Sequence, residues 1–303
     1  MFGVYFGRHL MERGAITEEH YEGLLEATRN SKLKMGFLAV EEGMMTPEQA
    51  EEINRLQQQE DKRFGDLAIE MGYLTEENVS DLLDIQGDSY LLFVQTLIES
   101  GLMDMAQLQE YLADFRKENN LSVRELEDFK TGDVDRIIPI LLKDGSMSKE
   151  VKDYICLTSR FLVRFIDRFF RMEKPERVNE YIADNIAYQT IRGDKEYFTA
   201  FCGSVEELDT IGWGFMSGLL PPGETISYDV LDVAGEYLNV NNGVYVTGLD
   251  KEGVTERSDF PVMRAVPTKI TSTGEMYRVP LFIEGMLVDL IVCFGEGFSE
   301  EVL

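Results

Sequence analysis

IAYQTIR (186–192), the pair Gly193-Asp194 and KEYFTAFC (195–202) form the stretch that decides the fold. Apolar and polar residues alternate on both sides of a turn dipeptide, the pattern of a β-hairpin. Beyond it, VEELDTIGWGFMSGLL (205–220) has helical periodicity and is stopped by glycine and by Pro221-Pro222. SYDVLDVAGEYLNVNNGVYVTGL (227–249) reads as a second helix. Three strands follow, in FPVMRAVPTKI (260–270), MYRVPLFI (276–283) and MLVDLIVCF (286–294), with turns at Ser272–Gly274 and Glu284-Gly285. A hairpin, two helices and a run of strands predict an α+β domain, an antiparallel sheet with helices packed on one side.

Upstream of the hairpin the pattern is helical from Ser148 to Asp184. SRFLVRFIDRFFRME (159–173) carries Arg160, Arg164, Arg168 and Arg171 at helical spacing among aromatic and branched residues. Such a helix serves a membrane surface or a partner groove, or it is clamped between two domains with its arginines paired to carboxylates. Lys174-Pro175 then permits a new helix start in PERVNEYIADN (175–185).

The first third repeats itself. A shift of 29 residues superposes Gly7, Gly36 and Gly65, with Val94 in the fourth place. The same shift superposes Gly14, Gly43, Gly72 and Gly101, and three residues on Thr17, Thr46, Thr75 and Asp104. Each copy reads as a helical hairpin: the second glycine closes one helix in the left-handed conformation, and Thr or Asp caps the next. A fainter fifth copy runs from Ile138 to Leu157, with Gly145 and Ser148 in the matching places. The expected organisation is an all-α domain of four helical-hairpin repeats over 1–116, a helical connector over 117–184, and the α+β domain over 185–297.

Composition narrows the function. With 56 acidic against 29 basic side chains the formal net charge is −27. Such a surface repels phosphate backbones and anionic lipid, which argues against nucleic acid and membrane surfaces as partners. The three cysteines show no CxxC spacing and there are two histidines, so no metal site is expected. No signal peptide and no membrane span are read, and a cytoplasmic location is the expectation.

Asp232, Glu236 and Asn239 stand at i, i+4 and i+7 on the second predicted helix and share one stripe. Carboxylates at i and i+4 repel by roughly 0.2–0.5 kcal/mol, and Asn is a poor helix former, so helix stability does not account for the stripe. Together with Pro261, these residues match the signature of the CheC/CheX/FliY family of chemotaxis phosphatases, which the chain resembles over 185–297. That signature is Asp or Ser, three residues, Glu, two residues, Asn, and Pro after a further 21–28 residues. The chain departs from it in carrying Asn241-Asn242-Gly243 where the family usually has Gly-Asn after the motif asparagine. Glu176 and Asn179 repeat the inner spacing alone, so the resemblance is to single-site CheX.

The resemblance implies a phosphatase acting on the aspartyl phosphate of a CheY-like receiver. Asn239 would orient the attacking water and Glu236 would engage the receiver's lysine. Asp232 and Pro261 would support the motif. The chain would need no cofactor of its own, Mg²⁺ being brought by the receiver, and a homodimer would be expected. The rival reading is a non-catalytic signalling adaptor.

RFGDLAIEMGYLTEENVSDLLDIQ (63–86) in turn resembles the N-terminal motifs of type II secretion and type IV pilus ATPases, some of which bind cyclic di-GMP. That resemblance makes Lys34 and Arg63 candidate nucleotide-binding cations. The alternative is that the repeated glycines serve close helix packing in an interaction module.

Overall fold

The computed structural model of the chain describes all residues except 31–34, 58–63, 86–88, 144–146, 195, 218–228, 252 and 296. Two compact units emerge, Met1–Asp133 and Val134–Leu303. The boundary falls inside the expected connector 117–184, and the expected domain 185–297 lies inside the second unit.

The first unit is helical. Its elements are α1 (Phe2–Glu12), α2 (Glu18–Asn30), α3 (Met35–Glu41), α4 (Pro47–Gln57), α5 (Phe64–Glu70), α6 (Glu76–Ile85), α7 (Ser89–Glu99), α8 (Met105–Glu118) and α9 (Val123–Lys130). Gly14, Gly43, Gly72 and Gly101 follow α1, α3, α5 and α7 with φ of +71°, +66°, +72° and +67°. L side chains avoid that region, which is why glycine recurs there.

Each following helix starts in a reciprocal cap. The backbone N–H groups of Gln49, Asn78 and Gln107 donate to the side chains of Thr46, Thr75 and Asp104. The three side chains at 49, 78 and 107 accept in return from the backbone N–H groups of 46, 75 and 104. Thr17 and His20 make the same exchange, with the imidazole Nδ1 as acceptor. Two orphan donors are satisfied at each helix start. Gly7, Gly36 and Gly65 sit where a methyl group would come within 2.8, 2.8 and 3.1 Å of neighbouring side chains, so they serve close packing.

The second unit holds α10 (Val134–Leu141), α11 (Lys149–Phe165), β1 (Arg171–Met172), β2 (Glu176–Arg177), β3 (Glu180–Ala183), β4 (Asn185–Gly193), β5 (Glu196–Gly203), α12 (Val205–Ser217), α13 (Val230–Lys251), β6 (Glu256–Ser258), β7 (Val262–Arg264), β8 (Thr268–Ser272), β9 (Glu275–Ile283), β10 (Met286–Phe294) and β11 (Phe298–Val302). It is α+β. The main sheet runs β1-β9-β10-β5-β4-β6, with β2 also on β9 and β7 also on β4. Its pairings are antiparallel. The predicted hairpin is β4–β5, with Arg192 opposite Glu196. The hairpin β9–β10 turns through Glu284 and Gly285, both at positive φ, and the Asp167 carboxylate accepts from the Glu284 N–H at 3.2 Å.

The strands alternate with period two, as their sequence demands. Ile186, Phe198, Ala200, Cys202, Ile291 and Cys293 share one buried cluster, and the intervening Gln189, Thr199 and Phe201 face the other way, towards α13. The helices α12 and α13 pack on each other and against this second face.

Three expectations are corrected. The helix of 148–184 ends at Phe165, because Arg171 and Met172 pair with Phe282 and Leu281 of β9. PERVNEYIADN is not a helix. Its residues form β2 and β3, which cross from one sheet to the other: the Val178 N–H bonds Met276 O, and the Ser272 N–H bonds Asn179 O. Finally, the single strand read in FPVMRAVPTKI is two, β7 on the main sheet and β8 on a second sheet, β11-β8-β3, which covers the face away from the helices and supplies Ala183, Ile270 and Phe298 to the shared core. The four arginines divide accordingly. Arg160 pairs with Asp135, Arg164 lies over Phe165, and Arg168 lies over Phe169. The buried Arg171 lies over Phe282 and pairs with Glu173.

Candidate functional site

The helix α13 starts under Asp229, whose Oδ1 accepts from the N–H groups of Leu231 and Asp232 at 3.0 and 3.3 Å. Asp232 occupies the first turn, exposed, where a carboxylate complements the helix dipole. The buried side is Val233, Ala234, Tyr237, Leu238, Asn241, Asn242 and Tyr245. The opposite stripe carries Glu236, exposed, and Asn239, half-buried, with Val240, Gly243 and Val244 exposed beyond them. Glu236 and Asn239 therefore lie one turn apart on an accessible face.

Pro261 is brought to the same helix. A methyl group on Gly235 would come within 2.8 Å of Met263 Sδ and 3.6 Å of Pro261 Cβ, so the space left by this glycine is filled from within the unit. Gly243 has nothing around it and stays open. The segment 259–261 crosses the edge of β4 between β6 and β7. The Asp259 N–H bonds Thr190 O at 2.8 Å, and its carboxylate holds Arg192 at 2.8 Å. Next to Pro261, Phe260 is 91% exposed.

Beneath the pair lies a polar network that the sequence reading did not find. Gln189, fully buried on β4, donates from Nε2 to Asn239 Oδ1 at 2.8 Å and to Asp259 O at 2.7 Å. Its Oε1 accepts from Asn242 Nδ2 at 2.8 Å, which also donates to Thr199 Oγ1 at 2.9 Å. The Tyr154 hydroxyl donates to Asn242 Oδ1 at 2.6 Å and accepts from Asn241 Nδ2 at 3.2 Å. Burial pushes that phenol up to about 12, so it keeps its proton at neutral pH and remains a donor. The signal available in the sequence was the run Asn241-Asn242 in mid-helix, against propensity. Buried amides persist when their hydrogen bonds are met.

Lys34 and Arg63 lie outside the described residues. Glu176 is on β2 and Asn179 follows it, so their spacing is that of extended chain and not of a helix face. In the first unit, the buried His9 lies 2.9 Å from Glu118 and 3.7 Å from Asp114. Arg13 lies 3.1 and 3.2 Å from the same two carboxylates, which makes this an ion-pair cluster already supplied with a cation.

No family model matches the chain, and no curated protein does. Similar solved structures cover about half of it. The chemotaxis protein CheX from Desulfovibrio desulfuricans is 16% identical, with a TM-score of 0.40 over 48% of this chain and 99% of that one. A CheC-like superfamily protein from Shewanella sp. PV-4 is 14% identical, with a TM-score of 0.39 over 50% and 100%. The CheX–CheY–BeF3–Mg²⁺ complex from Borrelia burgdorferi gives 15% identity and a TM-score of 0.38, over 49% and 99%.

Proposed function

We propose that the second unit removes the phosphoryl group from the aspartyl phosphate of a CheY-like receiver, as a signalling phosphatase of chemotaxis type. The observation that carries the reading is the presentation of Glu236 and Asn239 together on the open face of α13, with the Asn239 amide anchored from below. Asp232 and Pro261 have structural places beside the pair, at the helix start and against Gly235.

The chemistry asks little of the chain. An aspartyl phosphate is already activated, so holding a water in line with the breaking bond supplies much of the rate. The water oxygen bonds to phosphorus, the bond from phosphorus to the aspartate oxygen breaks, and the carboxylate leaves with the electron pair. Inorganic phosphate is released with both protons of the water, and gives one to solvent as its own equilibrium requires. Asn239 holds the water, and Glu236 pairs with a lysine of the receiver. Mg²⁺ belongs to the receiver. Phe260 offers the receiver an apolar contact beside the polar pair. The helical repeats of the first unit locate or regulate this activity.

The test is phosphate release from CheY-like receivers of the source organism charged with acetyl phosphate. The full chain accelerates release, and Asn239→Ala loses the acceleration by about 10²-fold. Wild type and Asn239→Ala behaving alike, with receiver binding retained, would leave the adaptor reading in its place.

A further inference from the structure

Two ends of a carboxamide look alike in outline and differ in chemistry: one donates, the other accepts. Which end Asn239 turns outward is decided in the interior. Asp259 O is a backbone carbonyl and can only accept, so the Gln189 atom that meets it at 2.7 Å is the nitrogen. The same nitrogen meets Asn239 at 2.8 Å, so Asn239 must turn its oxygen inward. The other side agrees. The Tyr154 proton points at Asn242 Oδ1, which turns Asn242 Nδ2 towards Gln189 Oε1. Donors thus run in one direction, Tyr154 to Asn242 to Gln189 to Asn239. Gln189, Asn242 and Tyr154 are each fully buried, so their polar atoms are met by one another.

We infer that Gln189 is a positioning residue for Asn239, fixing its carboxamide with oxygen inward and Nδ2 facing the open side of α13. The inference rests on the phosphatase reading for its consequence and on the hydrogen-bond chain for its geometry. The outward group is then an N–H donor. A water held by that donor keeps a lone pair for attack. Gln189 also bonds the backbone beside Phe260, so one side chain sets both the amide and the neighbouring contact segment.

Gln189→Glu preserves shape and tests the assignment. A neutral carboxyl has one O–H to give, and an ionised one has none. The kcat of this variant relative to wild type therefore falls as pH rises through the titration of the new carboxyl, to a deficit of about 10²-fold, with KM for the acetyl-phosphate-charged receiver held within about twofold. A role in stability alone would not produce that pH profile. Equal kcat for variant and wild type at every pH overturns the inference and leaves the phosphatase reading intact.

A second measurement needs neither activity nor a folded variant. In the NMR spectrum of the wild-type chain, the Gln189 side-chain NH₂ protons exchange slowly with solvent and those of Asn239 exchange fast. Fast exchange at Gln189 overturns the inference. If the wild type releases no phosphate from any receiver while this contrast holds, the phosphatase reading falls and the positioning of Asn239 stands.

Discussion

The two units hold their key hydrogen bonds over different distances along the chain. In the first unit, the caps at Thr17, Thr46, Thr75 and Asp104 join residues three apart. In the second, Gln189 reaches Asn239 fifty residues on and Asp259 seventy residues on, and Tyr154 reaches Asn242 across eighty-eight. Local bonds can be read from a short window and repeated by copying it. Bonds across the fold exist only once sheet and helices have met. The first unit should therefore lose stability in small, separable steps, and the second in large, shared ones.

The largest expected effect is at Asn242. Replacement by Ala removes two donors and an acceptor from a fully buried site and strands Tyr154, Thr199 and Gln189. Urea unfolding should show a loss of about 3–4 kcal/mol. A loss below about 1 kcal/mol would remove the contrast between the units.

Next comes alkaline pH. Burial raises the Tyr154 phenol from 10.0 to about 12, so the unfolded chain gives up this proton before the folded one does. The associated stability is fully present below pH 10 and is lost as pH rises towards 12, on the order of 2–3 kcal/mol. Unfolding free energies across that range check the slope, and Tyr154→Phe should lessen it by this one phenol's share, the other raised tyrosines such as Tyr188 and Tyr197 keeping theirs.

One substitution should have opposite signs in the two units. Gly72→Ala forces a side chain to φ +72° and should cost about 1–2 kcal/mol, although nothing crowds the site. Gly243→Ala, inside α13 with open space around it, should stabilise by up to about 1 kcal/mol. Thermal melts of the two variants compare them directly. A rise in KM for Gly243→Ala would further mark this stretch of α13 as contact surface. The smallest effect is Thr75→Ala, about 1 kcal/mol. It should appear as faster amide exchange confined to the start of α6.

The sequence by itself determined a good deal. Period-two alternation in 186–202 and 276–294 was enough to predict the hairpin strands of an α+β unit. The 29-residue spacing of glycines and capping residues marked the helix ends of the first unit, because left-handed φ and N-caps are properties of single residues and their neighbours. The stripe Asp232, Glu236, Asn239 was legible because helical spacing alone puts it on one face. Tertiary structure decided the rest. Residues 175–185 became strands because two sheet edges were waiting for them, against a proline that favours a helix start. The second sheet over the core was not legible, because the strand read in 260–270 divides between β7 and β8 on different sheets, and which sheet each piece joins is decided by its partners β4, β3 and β11. Gln189 looked like one more strand residue, and only the packing of β4 under α13 made it the partner that decides which end of Asn239 faces out. Spacing along a helix is set by the chain. The direction of a carboxamide is set by whatever donor the fold places behind it.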